Sequence, residues 1–224
     1  MVYLTEDNEL YGVGNAGVGA LQQFEDINRE KYVNDEYWGV TTPYLLMENV
    51  IYARCGRSDI ACITTEGEIW IWGTIGYVAQ RFYFEPYPVK VLENAVLITG
   101  GLYNHAALLG DGSVWTWGYN YSGNCGVEGT NVVSTPTKVA DDVIGVWTGN
   151  IKYNVDCYDI SEFEGIYERQ YENTIIQKRD GSYWICGANV GDSEKILPLY
   201  YETMDYVMRC THEFQLLENE IMFD

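Results

Sequence analysis

The chain has 224 residues, a formal net charge of −20, and 47% hydrophobic, 15% aromatic and 21% charged residues. That apolar fraction excludes a disordered chain, and the length allows a real core in one large domain or two small ones. The acidity argues against nucleic acid and anionic membrane surfaces as partners, because both need a basic face.

The segment from Met1 to Asp7 has neither a basic n-region nor an apolar core, so no secretory signal is predicted. The default expectation is a cytoplasmic protein, or an extracellular one if the chain is a piece of a longer secreted protein. The best candidate for a membrane span, Ala95 to Leu109, is broken by Gly100, Gly101, Asn104 and His105. Cys55, Cys62, Cys125, Cys157, Cys186 and Cys210 form no C-x-x-C pair, which removes zinc-ribbon and thioredoxin-like readings. Most lie in apolar strand-like runs and are expected to be reduced packing residues.

One unit recurs along the chain. It has a short apolar strand, an acidic residue beside Gly or Asn, then an aromatic strand ending in Gly. The copies run from Val2 to Gly14, Ile60 to Gly73, Ala106 to Gly118 and Thr174 to Gly187, with a fifth starting at Phe214. Each reads as a β-hairpin whose Asp-Gly, Glu-Gly or Asp-Asn turn supplies positive φ. A Pro-marked strand and a third apolar strand follow, as in Thr135 to Val139 with Val143 to Trp147, and Tyr87 to Val91 with Ala95 to Ile98. Four strands per unit make one propeller blade. The units run roughly 1–55, 56–100, 101–149 and 150–210, with a partial fifth at 211–224 and insertions near 21–40 and 151–171.

The run from Asp111 to Gly123, with Gly100 to Leu108 before it, resembles the blade signature of the regulator of chromosome condensation family, more like its bacterial members. That resemblance implies antiparallel four-stranded blades and, in the family, a seven-bladed ring. Four units and a fragment are fewer than seven. The expected fold is therefore all-β, a partial or small β-propeller of about four to five four-stranded antiparallel blades forming a single array over 1–224. The family commonly places a His before the apolar strand. His105 and His212 match that place, with Asp59 replacing it in the second unit, and these are read as structural residues.

No catalytic, cofactor or metal residues are expected. Two histidines give no basis for a Ser-His-Asp triad or a His-based zinc site. Gly12 to Gly17 matches G-x-G-x-x-G, but Gly14, Asn15 and Gly17 also match the repeat turn Gly118, Asn120 and Gly123, and no βαβ pattern surrounds them. Asn120-Tyr121-Ser122 matches a glycosylation sequon inside that same turn. Arg54-Cys55 and Arg209-Cys210 read as equivalent positions of a third strand, contributing packing and a satisfied charge.

The insertions hold the candidate binding residues. They are Asp156, Tyr158, Asp159, Glu162, Phe163, Glu164, Tyr167 and Glu168 in the second, and Tyr37 and Trp38 in the first. One reading is a solvated loop that extends a hairpin. The other is an acidic, aromatic loop for a basic protein partner, since Tyr gives contact area at low entropy cost. The expected function is a non-enzymatic protein-interaction scaffold. The alternatives are regulation of the guanine-nucleotide-exchange type, implied by the resemblance alone, and an acidic inhibitor of the immunity type. Self-association, or association with further blades, would cover exposed end blades.

Overall fold

The computed structural model describes residues 1–15, 39–56, 59–78, 81–101, 104–120, 122–156, 166–188 and 210–216. The first sheet has three strands, β1 (Val2–Leu4), β2 (Leu10–Asn15) and β3 (Gly39–Met47). The second has four, β4 (Val50–Cys55), β5 (Asp59–Thr64), β6 (Ile69–Val78) and β7 (Arg81–Leu92). The third comprises β8 (Ala95–Gly100), β9 (Asn104–Leu109), β10 (Val114–Tyr119) and β11 (Val132–Ala140). The fourth comprises β12 (Val143–Asp156), β13 (Ile166–Lys178), β14 (Tyr183–Ala188) and β15 (Cys210–Leu216). Every sheet is an antiparallel meander, and the described residues form a partial propeller of successive blades.

The second strands β5 and β9 are buried on both faces, and this explains their apolar runs Ile60 to Ile63 and Ala106 to Leu108. On β5, Ile60 and Cys62 pack with Leu10, Leu46 and Val50, joining the first two sheets. The alternate residues Ala61 and Ile63 pack with Ile98, Ala107 and Trp117, joining the second and third. On β9, Ala106 and Leu108 turn the other way, toward Val143, Val146 and Ile176 of the fourth sheet. Each such Ile or Val contributes about 1.5–3 kcal/mol by burial. Burial pushes the Cys62 thiol up to about 12 and the Cys186 thiol higher still, so both act as packing groups. Among the described residues Cys55, Cys62, Cys125 and Cys186 are free, and Cys55 is exposed rather than packed.

Hydrogen bonds between backbones hold neighbouring blades in register. Ala95 N donates to Gly67 O and Gly110 N to Asn94 O, both at 2.8 Å. Val143 N to Gly112 O (2.9 Å) and Arg179 N to Asp142 O (2.8 Å) repeat the pattern at the next seam. The blade borders thus fall at 48–49, 93–94 and 141–142, one strand earlier than the borders of the sequence units.

Three local readings are sharpened or changed. The hairpin turns are three-residue loops, with Gly112 N bonded to Leu109 O and only Gly112 left-handed (φ 83°). This is a type I turn followed by a left-handed residue, which supplies the positive φ expected of these turns. Second, β15 pairs with β14, Trp184 opposite Leu216, so Phe214 lies in the outer strand of the fourth sheet and not in a fifth hairpin. Cys210 accordingly begins β15 while Cys55 ends β4, so the two are not on equivalent strands; Arg209 lies outside the described residues. Third, the repeat register aligns Asp59, Asn104 and Asn173, each opposite the blade glycine Gly73, Gly118 or Gly187. His105 is therefore equivalent to Ile60, not to Asp59. His212 lies on β15.

Candidate functional site

The meander gives every sheet two ends. The blade-to-blade staples and the hairpin turns at Gly67, Gly112 and Gly181 occupy one. The other holds the short links after β4, β6 and β8, the longer one between β10 and β11, and the strand ends that flank both sequence insertions.

Two polar clusters build this loop end. Arg54 Nη2 on β4 donates to Asp59 Oδ2 on β5 at 3.0 Å and to His105 Nδ1 on β9, bridging the second and third sheets. Arginine has no acceptor atom, so His105 Nδ1 is the acceptor. The His105 ring stacks on Trp117 at 5.1 Å between centroids. All three polar side chains are at least nine-tenths buried. Burial pushes the Asp59 carboxyl above the usual carboxylate range, with Arg54 pulling against it. The charge is only partly satisfied, because Arg54 Nε and Nη1 find no partner among the described residues. No backbone Cβ could stand at Gly100 without meeting the Arg54 guanidinium, which explains glycine there.

The second cluster joins the third and fourth sheets. Asn120 Nδ2 donates to Val127 O (2.7 Å) and Thr130 O (2.8 Å), and its Oδ1 accepts from Cys125 N (2.9 Å). The Asn120 side chain is wholly buried and spent on the loop, which removes it as a glycosylation acceptor. Asn124 Nδ2 donates to Glu172 Oε2, and Ser122 Oγ reaches Glu172 O (3.3 Å). Both clusters act as inter-blade joints. No group of three metal-ligating side chains lies together among the described residues.

The predicted binding residues fall at this same end. Strands β12 and β13 continue as a two-stranded arm past the edge of the blade, pairing without interruption from Gly149 opposite Asn173 to Asp156 opposite Ile166. At about 3.4 Å per residue the arm extends roughly 20 Å. Asp156 ends β12, Tyr167 stands opposite Val155, and Glu168 opposite Asn154. Tyr158, Asp159, Glu162, Phe163 and Glu164 belong to the connection at its tip, outside the described residues. Tyr37 and Trp38, which precede β3, also lie outside them. The sequence shows Ser122 only as part of a sequon and Asn124 and Glu172 only as turn and insertion residues, and nothing local in it reveals that the three meet across the seam.

Residues 111–149 match the sequence profile of the regulator of chromosome condensation (RCC1) repeat. That stretch, the third hairpin with the strands after it, is similar to one RCC1 repeat. The fold of the chain agrees. Among 38 matching chains of solved structures is yeast RCC1 (Prp20), solved bound to Kap60, with 21% identity and a TM-score of 0.63. That match covers 100% of this chain and 48% of the yeast chain. Human WBSCR16 matches at 15% identity and a TM-score of 0.51, over 84% of this chain and 59% of the human one. The chain thus spans about half the length of these similar structures. No curated protein matches the sequence.

Proposed function

We propose that this chain is a non-enzymatic interaction scaffold, whose blades present the β12–β13 arm to a protein partner of basic character. The observation that carries this reading is the unbroken ladder from Gly149 to Asp156, which runs past the blade edge into the acidic and aromatic sequence of the second insertion. An isolated two-stranded ribbon is only marginally stable in water. A partner that packs against it would supply the missing contacts. Tyr158, Phe163 and Tyr167 provide contact area, and Asp156, Asp159, Glu162, Glu164 and Glu168 speed the encounter with a basic surface. The related yeast propeller is known in complex with another protein, Kap60, which supports protein binding as a use of this fold.

The test replaces residues 157–165 by Asn-Gly, which closes a tight hairpin across Asp156 and Ile166 and leaves the blade intact. Proteins retained by the immobilised native chain are identified, and one is purified and titrated against both chains. A loss of about tenfold or more in affinity on shortening, with native-chain binding weakening as salt rises, is expected. Equal affinity of the shortened chain for the purified partner would overturn the reading.

A further inference from the structure

The opposite end of the blades has its own regular feature. Strands β4, β8 and β12 begin with the same irregularity. Val50 pairs with Thr64 but Tyr52 with Ile63; Ala95 pairs with Leu109 but Leu97 with Leu108; Val143 pairs with Lys178 but Gly145 with Gln177. One residue is passed over each time, which is a β-bulge. The three extra residues are Ile51, Val96 and Ile144, exposed by 51%, 62% and 49%. Each stands two places after a left-handed Asn49, Asn94 or Asp142, with φ of 61°, 57° and 59°.

A bulge directs its extra side chain out of the ladder, so nothing in the fold demands an apolar residue there. One exposed aliphatic is ordinary on a protein surface. Three large ones at the same repeat position form a row, and rows of this kind mark interaction surfaces. The backbone staples between blades fix that row, because Val50 N, Ala95 N and Val143 N, each one residue before the bulge, bond to the preceding blade.

The surroundings carry charge of one dominant sign. Glu48, Glu93 and the pair Asp141–Asp142 precede the three aliphatics in sequence. Two lysines at this end are already paired, Lys90 with Glu68 (2.9 Å) and Glu93 (2.7 Å), and Lys138 with Asp141 (2.6 Å), while Lys178, opposite Val143, lies 4.7 Å over the Trp184 ring. Lys178 is therefore the cation closest in register to Ile144, and exposed Arg179 follows it at the staple to Asp142.

We propose that Ile51, Val96 and Ile144 form a docking row for a basic protein segment with apolar side chains. Its apolar groups cover the three aliphatics, and its Lys or Arg residues meet the flanking carboxylates. The row lies at the end opposite the β12–β13 arm, so the two surfaces stand or fall separately.

The probe is a labelled amphipathic peptide of Lys and Leu, with a Lys and Ser peptide of equal charge as its control. Two measurements are made on the full chain: anisotropy titration, and methyl NMR of Ile and Val during titration. The native chain is expected to bind the Lys/Leu peptide about tenfold more tightly than the control, with methyl shifts at Ile51, Val96 and Ile144. The triple variant Ile51→Ser, Val96→Ser, Ile144→Ser is expected to lose that excess, while the chain shortened at 157–165 keeps it. Equal binding of the two peptides, absence of binding, unshifted methyls at the three positions, or unchanged affinity in the triple variant each overturns the proposal. The NMR readout uses the native chain, so the proposal stays testable if the triple variant does not fold.

Discussion

Asn124 Nδ2 donates to Glu172 Oε2 at 3.1 Å, across the seam between the third and fourth blades. Asn124 is wholly buried and Glu172 is 8% exposed, so the bond works in a low dielectric. Asn124 Nδ2 also donates to Tyr119 O at 2.9 Å, and Thr174 Oγ1 donates to Asn124 O at 2.5 Å. One side chain thus fixes its own loop and the neighbouring blade. Asn124→Ala removes a charge-assisted donor from Glu172 and is expected to destabilise the fold by about 2–3 kcal/mol. Urea unfolding followed by tryptophan fluorescence checks this, and a midpoint unchanged from the native chain would refute it.

The glycines of the repeat separate two costs. Gly181 and Gly187 both have positive φ, at 89° and 121°. A Cβ on Gly181 would have open space around it, whereas one on Gly187 would meet Asn173 Oδ1 and stand 2.5 Å from Glu172 O. Gly181→Ala is expected to cost about 1 kcal/mol, the strain of a left-handed Ala alone. Gly187→Ala carries that strain plus a clash with backbone, and is expected to cost at least about 2 kcal/mol more. Paired denaturation curves decide, and equal losses at the two sites would show the clash to be relieved without cost.

The blade repeat was legible because each of its physical requirements leaves a residue. A left-handed turn position leaves Gly67, Gly112 or Gly181, and a strand buried on both faces leaves Ile60 to Thr64 or Ala106 to Leu109. What could not be read were relations across the seams. The Arg54 bridge to Asp59 and His105 joins residues up to 51 positions apart, and no local pattern encodes it. The same limit misplaced His105 opposite Asp59 in the repeat, because alignment on sequence cannot see that Asn104 pairs with Gly118 as Asp59 does with Gly73. The bulge row escaped notice for another reason. Ile51, Val96 and Ile144 sit inside apolar runs, and only the skipped pairing reveals that they face solvent.

That Arg54 bridge gives a third prediction. Arg54 and Asp59 are 10% and 2% exposed, so each is costly to bury alone. Asp59→Asn removes the carboxylate and leaves the guanidinium charge in place, with an expected loss of about 3–5 kcal/mol. Replacing both, as Arg54→Met with Asp59→Leu, is expected to recover most of that loss, because a buried pair exchanged for apolar groups is often near neutral. Thermal unfolding of the single and double variants tests it. A double variant no more stable than Asp59→Asn would mean that the bridge has a worth of its own beyond charge cancellation.

The last prediction concerns acid. Asp111 Oδ1 accepts from Ser113 N (2.9 Å) and Ser113 Oγ (2.6 Å), and Asp180 accepts from Ser182 with the same two distances. In turn Trp115 Nε1 and Trp184 Nε1 donate to those serine oxygens at 3.0 and 2.9 Å. The serine donors hold both carboxyls below the usual carboxylate range. A carboxyl depressed on folding adds stability above its unfolded pKa of about 3.9, and that stability disappears as pH falls through the folded value. The double variant Asp111→Asn, Asp180→Asn keeps an acceptor at each site but no charge. It is expected to be less stable than the native chain at pH 7, with the gap closing below about pH 4. Urea midpoints of both chains, taken stepwise from pH 7 into acid, measure that gap. A gap that stays constant with pH would show that the serine hydrogen bonds, rather than the ionised carboxylates, hold these turns.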